Sequence, residues 1–152
     1  MKKELPSMSS RPLHYSHKIP ILKTRLFWEK LKEGKVYATR CKKCGKLYYP
    51  PQDDCTQCLA SDVEWVELGK TVTLETYTQV HIKPQGFTQY EPYTIAIART
   101  TEGIKVMGWL EDAAPEDARV GMKLEMSTKT LPDGYQVIVF RLNRLGRAPV
   151  RK

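Results

Sequence analysis

Cys41, Cys44, Cys55 and Cys58 are the four cysteines of the chain, and they form two Cys-x-x-Cys pairs separated by ten residues. Two such turns can set four thiolates around one ion, each sulfur about 2.3 Å from a tetrahedral zinc. The two intervening residues let each pair aim its sulfurs to one side. Gly45, directly after the first pair, suits the left-handed backbone that a tight turn there favours. Four sulfurs fill the coordination shell and leave no place for water, so the expected ion is structural rather than catalytic zinc. Iron also accepts a tetrahedral thiolate set, which makes an electron carrier the rival reading. Against it, a ten-residue connection leaves little from which to build an electron-transfer domain.

Little else in the chain points to catalysis. His14, His17 and His81 have no nucleophile at a recognisable spacing and read as solvated. Glu111, Asp112, Glu116 and Asp117 are close in sequence, and paired carboxylates can exchange protons, but here they read as a loop and a helix start. Arg40, Lys42, Lys43 and Lys46 flank the cysteines, and Arg141, Arg144, Arg147 and Arg151 lie in the tail. Either group can contact phosphate, and the net charge of +8 agrees with a nucleic acid, with the phosphates of coenzyme A, or with an acidic partner. Tyr48 and Tyr49 stand among the first group, where they can stack on a base. Pro50 and Pro51 beside them equally suit packing between two substructures.

The surrounding pattern is mainly that of strands. Residues 1–17 are polar, with Pro6, Ser7, Ser9, Ser10 and Pro12, and are expected to form a flexible arm. In 18–35 the residues Leu22, Leu26, Phe27 and Leu31 recur at helical spacing and Gly34 supplies a stop, so a short amphipathic helix is expected from Pro20. Its basic face carries Lys23, Arg25, Lys30 and Lys32, and Trp28 fits a single apolar stripe badly. Residues 36–62 hold the metal pairs. Residues 63–80, bent at Gly69, predict one long coiled strand or two linked ones. An outward loop follows over 84–92, with Gly86, Phe87 and Tyr90, then a hairpin of 93–100 with 104–110. A short helix is expected over 115–120, and Pro132, Asp133 and Gly134 turn a last hairpin of 122–131 with 135–142. Five strands with a small helix between the third and fourth suggest an OB barrel over 63–145, followed by a basic tail over 146–152. An SH3-like barrel or a plain sheet absorbs the same strands.

At 152 residues the chain fits one ordinary domain or two small ones. No apolar run reaches the roughly 18 to 20 residues of a membrane span, so no membrane crossing is expected. Lys2 and Lys3 precede no apolar stretch, which argues against a secretory signal and makes the cytoplasm the expected location. Thiols stay reduced there, which agrees with cysteines that bind metal.

The run Phe27-Trp28-Glu29-x-Leu31-x-x-Gly34, then Tyr37, Arg40-Cys41-x-x-Cys44-Gly45, Tyr49-Pro50-Pro51, Cys55-x-x-Cys58 and Leu68-Gly69-Lys70, resembles a known family. That family comprises small zinc-ribbon and OB-fold proteins associated with acyl-CoA metabolism, long catalogued as a domain of unknown function. The resemblance implies a helix, a rubredoxin-like zinc ribbon and an OB-fold in that order. It also implies a partner. Family members work beside thiolase-fold enzymes; in archaea they bridge acetoacetyl-CoA thiolase and HMG-CoA synthase (hydroxymethylglutaryl-CoA synthase). Elsewhere they accompany acyltransferases and steroid side-chain aldolases. Such a subunit has no chemistry of its own and helps to enclose the pantetheine arm of coenzyme A. Where the family pattern commonly has arginine after the Pro-Pro pair, this chain has Gln52.

The reading that follows is a non-catalytic subunit with structural zinc on Cys41, Cys44, Cys55 and Cys58. Its partners would be thiolase and HMG-CoA synthase-like proteins, and its ligand coenzyme A or an acyl-CoA, with phosphate contacts at Arg40, Lys42, Lys43 and Lys46. The alternative is a single-stranded nucleic-acid binder built on the same barrel.

Overall fold

The computed structural model describes residues 6–10, 17–112 and 117–142. Helix α1 (Arg25–Lys32) forms because Phe27 and Leu31, one turn apart, both find buried contacts. Arg25–Glu29 and Lys30–Glu33 ion pairs support its outer face. Gly34, at φ 81°, ends it in the left-handed region. The helix starts later than the expected Pro20, because Leu22 has no surface to pack on and stands 85% exposed.

Strands β1 (Tyr37–Cys41), β2 (Leu47–Tyr48) and β3 (Val63–Glu67) make a three-stranded antiparallel sheet with β1 in the centre. The run 63–80 thus divides into two strands that enter different sheets. Val63–Glu67 pairs with β1 along its whole length, from Cys41 opposite Val63 to Tyr37 opposite Glu67. Beyond Gly69 the chain enters the barrel as β4 (Thr71–Val80).

The barrel closes in the order β4, β5 (Tyr93–Thr100), β6 (Lys105–Leu110), β8 (Gln136–Leu142) and β7 (Lys123–Thr130), and β7 returns to β4. β6 and β8 run parallel and the other pairs antiparallel, which is the closed five-stranded OB arrangement. A register shift between Leu74 and Thr76 bends β4, so that its start reaches β7 while its length lies on β5. The expected turns appear at Gly103 and Gly134, both at positive φ. Part of the expected helix over 115–120 lies outside the described residues, and 117–121 contribute turns.

One core joins the parts. Val72, Leu74, Ala96, Ala98, Val106, Leu124, Met126 and Phe140 point into the barrel, and Phe27, Leu31, Val36, Ala38 and Leu68 belong to the same buried cluster. Burying side chains such as Phe27 and Leu31 contributes about 1.5–3 kcal/mol each. The Thr128 hydroxyl donates to the Leu31 carbonyl at 2.6 Å, which fixes the C-terminal end of α1 on the barrel.

Candidate metal centre and adjoining apolar cleft

The two cysteine pairs fold into matching knuckles. The Cys41 carbonyl accepts the Gly45 N–H at 2.8 Å, and the Cys41 N–H donates to the Lys46 carbonyl at 2.9 Å. In the second knuckle the Cys55 carbonyl accepts the Leu59 N–H and the Cys55 N–H donates to the Ala60 carbonyl, both at 2.9 Å. Gly45 (φ 75°) and Leu59 (φ 56°) hold the same left-handed position, one residue after each pair.

This geometry gathers the four sulfurs, all within 4.8 Å of one another. Cys41 Sγ lies 3.5 Å from Cys58 Sγ, and Cys44 Sγ 3.4 Å from Cys55 Sγ. A tetrahedron with 2.3 Å metal–sulfur bonds has edges of about 3.8 Å, so the spacing fits one ion. Crowding splits the proton affinities. The Tyr48 hydroxyl, with the Cys58 and Gln57 N–H groups, outweighs burial and holds the Cys55 thiol down at about 5. The Ala60 N–H favours a Cys58 thiolate, yet burial and the neighbouring sulfurs push Cys58 up to about 12. Four thiolates can coexist here only with a cation among them, and the all-sulfur donor set suits zinc.

The basic residues around the ribbon are partly compensated. Arg40 pairs with Glu64 at 3.3 Å and Lys42 with Asp62 at 2.8 Å. Lys46 places its ammonium 5.2 Å from the centre of the Tyr48 ring, and Lys43 is exposed. Arg141 binds Glu111, which also holds Lys129. Burial alone would raise the Glu111 carboxyl, but these two cations hold it below its ordinary value. Arg144, Arg147, Arg151, His14 and Glu116 lie outside the described residues. Gln52 acts through its backbone: Thr39 Oγ1 donates to the Gln52 carbonyl and accepts the Gln52 N–H, at 2.8 and 2.9 Å.

Sequence reasoning missed the other feature of this region, an apolar cleft of about 450 Å³ between the helix, the ribbon and the outside of the barrel. Phe27, Trp28 and Leu31 line one side, Tyr49, Pro50 and Pro51 the end, and Ile95, Met107, Trp109 and Val137 the barrel side. Among the described residues no charged one lines it, and its polar members are Thr24, Tyr49 and Gln136. Burial pushes the Tyr49 hydroxyl up to about 12, so it stays neutral. Trp28, badly placed for a helix stripe, is 44% exposed and sits edge-on to Phe27 at the cleft. The available signal was the alternation of β5, β6 and β8, which leaves Ile95, Met107, Trp109 and Val137 on an outer face where polar residues are usual.

Beside the cleft, Trp109 stacks on Tyr93 at 4.6 Å, and Phe87 and Tyr90 close over the pair. The loop expected to carry exposed aromatics leans on the barrel through these rings, with Phe87 still 38% exposed and Tyr90 half-buried. Its Tyr90 hydroxyl donates to Asp133 at 2.6 Å and ties it to the β7–β8 turn.

Comparison with known proteins agrees with both parts. The domain family described as "ChsH2, rubredoxin-like zinc ribbon domain" matches residues 28–64, and "ChsH2, C-terminal OB-fold domain" matches 65–129. A "DUF35 domain-containing scaffold protein" of Methanocaldococcus jannaschii is 35% identical over 100 residues, covering 64% of this chain and 71% of the relative. "Benzoylsuccinyl-CoA thiolase subunit BbsA" of Thauera aromatica is 27% identical over 109 residues, covering 70% and 74%. A solved structure titled "Ltp2-ChsH2(DUF35) aldolase" superposes with a TM-score of 0.70 at 27% identity, covering 78% of this chain and 93% of that one. With its ribbon, its barrel and these relatives in agreement, the chain belongs to the DUF35 family, in the form that joins a ChsH2-type zinc ribbon to an OB-fold.

Proposed function

We propose that this chain is a non-catalytic zinc-binding subunit that docks on a thiolase-fold enzyme and helps to hold or pass its acyl-CoA. The observation that carries this reading is the uncharged cleft at the seam of helix, ribbon and barrel. An acyl chain is apolar, and the pantetheine arm is long and uncharged with amides and a hydroxyl along it, so a concave apolar site with a few polar groups suits them. The Tyr49 and Thr24 hydroxyls are the polar groups that would meet a carbonyl or an amide there. Phosphates at the far end of the ligand would meet Arg40, Lys42, Lys43 and Lys46, of which Lys43 and Lys46 have no carboxylate partner among the described residues.

Cys41, Cys44, Cys55 and Cys58 are the proposed zinc ligands. Zinc bound to them would lock the two knuckles together and contribute folding free energy to the ribbon. Relatives named as a thiolase subunit and as part of an aldolase support a thiolase-type partner; an HMG-CoA synthase-like protein is proposed as the second class on the sequence resemblance alone. Of the carboxylates considered for proton transfer, Glu111 is engaged by Lys129 and Arg141, which favours a structural role for it.

A nucleic-acid reading has one observation in its favour, the Tyr93–Trp109 stack on the barrel strands that commonly bind single strands. The test is affinity purification of the tagged chain at native expression and low salt, with mass spectrometry of the partners and zinc analysis of the same eluate. A thiolase-fold enzyme with one zinc per chain is the expected result. Recovery of nucleic-acid-processing partners without a thiolase-fold protein would overturn the proposal.

A further inference from the structure

Tyr48 and Tyr49 are consecutive, yet they serve different neighbourhoods. Tyr48 is 7% exposed and packs with Cys41 and Cys55. Its hydroxyl lies 3.1 Å from Cys55 Sγ and 3.3 Å from Thr56 Oγ1. A thiolate has no proton to give, so with Cys55 ionised the phenol is the donor. The Lys46 ammonium lies 5.2 Å from the centre of the ring, and that attraction helps to hold the ring where its hydroxyl meets Cys55. Tyr49 instead lines the apolar cleft, its ring edge-on to Phe27 with the centroids 6.1 Å apart.

Backbone pairing does little to hold this segment. β2 consists of Leu47 and Tyr48 alone, paired to β1 at Arg40 and Thr39. After it come Tyr49, Pro50 and Pro51, the end wall of the cleft, before Thr39 grips Gln52. The wall is thus anchored on one side by the Tyr48 hydroxyl and on the other by the Thr39 hydroxyl. We propose that Tyr48 is a positioning residue that couples the thiolate centre to the cleft: by donating to Cys55 Sγ it steadies the metal site and holds Tyr49, Pro50 and Pro51 as the cleft wall. This rests on reading the four cysteines as one ligand set. Outer hydrogen bonds to metal ligands commonly change metal affinity by about 10–100-fold. Because the same bond sets the wall, metal retention and cleft binding are linked.

Y48F keeps the ring and removes only the hydroxyl. Three quantities are measured in the full chain: zinc per chain, the rate of zinc transfer to 4-(2-pyridylazo)resorcinol, and affinity for the neutral fluorophore N-phenyl-1-naphthylamine. M107E, which charges the cleft mouth, locates the fluorophore by abolishing its signal. The expected Y48F protein still holds one zinc, transfers it about tenfold faster, and binds the fluorophore several-fold more weakly. T56A, which removes the other partner of the hydroxyl, stays near wild type on both readouts. If Y48F fails to fold, K46Q carries the test, with smaller changes in the same direction. A Y48F or K46Q protein that folds yet matches wild type in either zinc transfer or fluorophore affinity overturns the coupling, as does a wild-type chain that does not bind the fluorophore. A wild-type chain that purifies without a metal refutes the ligand set instead, and the first measurement shows which has failed.

Discussion

Gly108 lies on β6 beside the short β6–β8 pairing that closes the barrel, and replacing it by alanine gives a sharp test of the closure. β6 and β8 are joined through Trp109 opposite Val139 and Leu110 opposite Phe140. A Cβ on Gly108 would lie 2.6 Å from the Ile138 carbonyl oxygen, 3.1 Å from the Ile138 carbonyl carbon and 3.0 Å from Phe140 Cε2. Carbon and oxygen rest at about 3.3 Å or more, so the Ile138 carbonyl must retreat by about 0.7 Å. It is backbone, and Phe140 is fully buried, so neither can swing aside. Overpacking of this kind costs about 1–3 kcal/mol. Glycine is a poor strand residue, and replacing it returns about 0.5–1 kcal/mol. The net expectation is a loss of about 0–2.5 kcal/mol, and a loss near the middle of that range lowers Tm by about 3–5 °C for a chain of this size. Thermal unfolding of zinc-replete wild type and G108A, followed by circular dichroism, measures it. A variant melting above wild type would show that β6 and β8 are not in the contact described.

Cys55→Ser should release the metal and unfold the β1–β3 sheet, because a structural zinc site contributes its binding free energy to folding; Cys41→Ser should do the same, and full zinc content in either would refute the ligand set. Leu59→Gly should stabilise the zinc-replete chain by about 0.5–1 kcal/mol, since Leu59 has a left-handed backbone and an 86% exposed side chain; a lower urea midpoint would contradict it. Glu75 is held below the ordinary carboxylate value, first by its hydrogen bond to Lys105 and then by Arg99. Its folded value lies below its unfolded one, so its contribution is present above an unfolded pKa of about 4.3 and fades as pH falls through the folded value. Glu75→Gln should therefore lose less stability than wild type between neutral pH and acid, and urea midpoints of the two proteins that stay parallel would count against the pair.

The cysteine cluster was legible because each of its requirements is local. Two residues between the cysteines set each knuckle, and Gly45 marks one of the two left-handed positions by its type alone. Leu59, in the equivalent position, has no such mark, because the Cys55–Leu59 and Cys55–Ala60 hydrogen bonds impose that backbone against the residue's own preference. The barrel strands were legible from alternation and from turns at Gly103 and Gly134. Which sheet Val63–Glu67 joins was not legible, because a strand pattern names a strand and not its partner; pairing with β1 is decided by long-range packing. The cleft was hidden for the same reason. Its walls come from five separate stretches of chain, and in sequence Trp28 looked like a misfit on a helix.

That misfit bears on function. Among the described residues, cations that could track a phosphate backbone are largely met by acids: Arg40 by Glu64, Lys42 by Asp62, Arg99 and Lys105 by Glu75, Lys129 and Arg141 by Glu111. Each such pair is worth little to stability, but it leaves less free positive charge to release counterions on binding a nucleic acid. The apolar side has no such compensation. Met107 is 65% exposed and Trp28 44% exposed at the mouth of an uncharged cleft, although helix and barrel already share one core elsewhere. A helix free to pack fully would cover that face; this one leans on it through Phe27 and Leu31 and leaves the gap beside Trp28 open. Surface of that kind gains most from an apolar, neutral occupant, which is why the chain's net charge, suggestive in the sequence, is a weaker guide than the cleft to what the protein would bind.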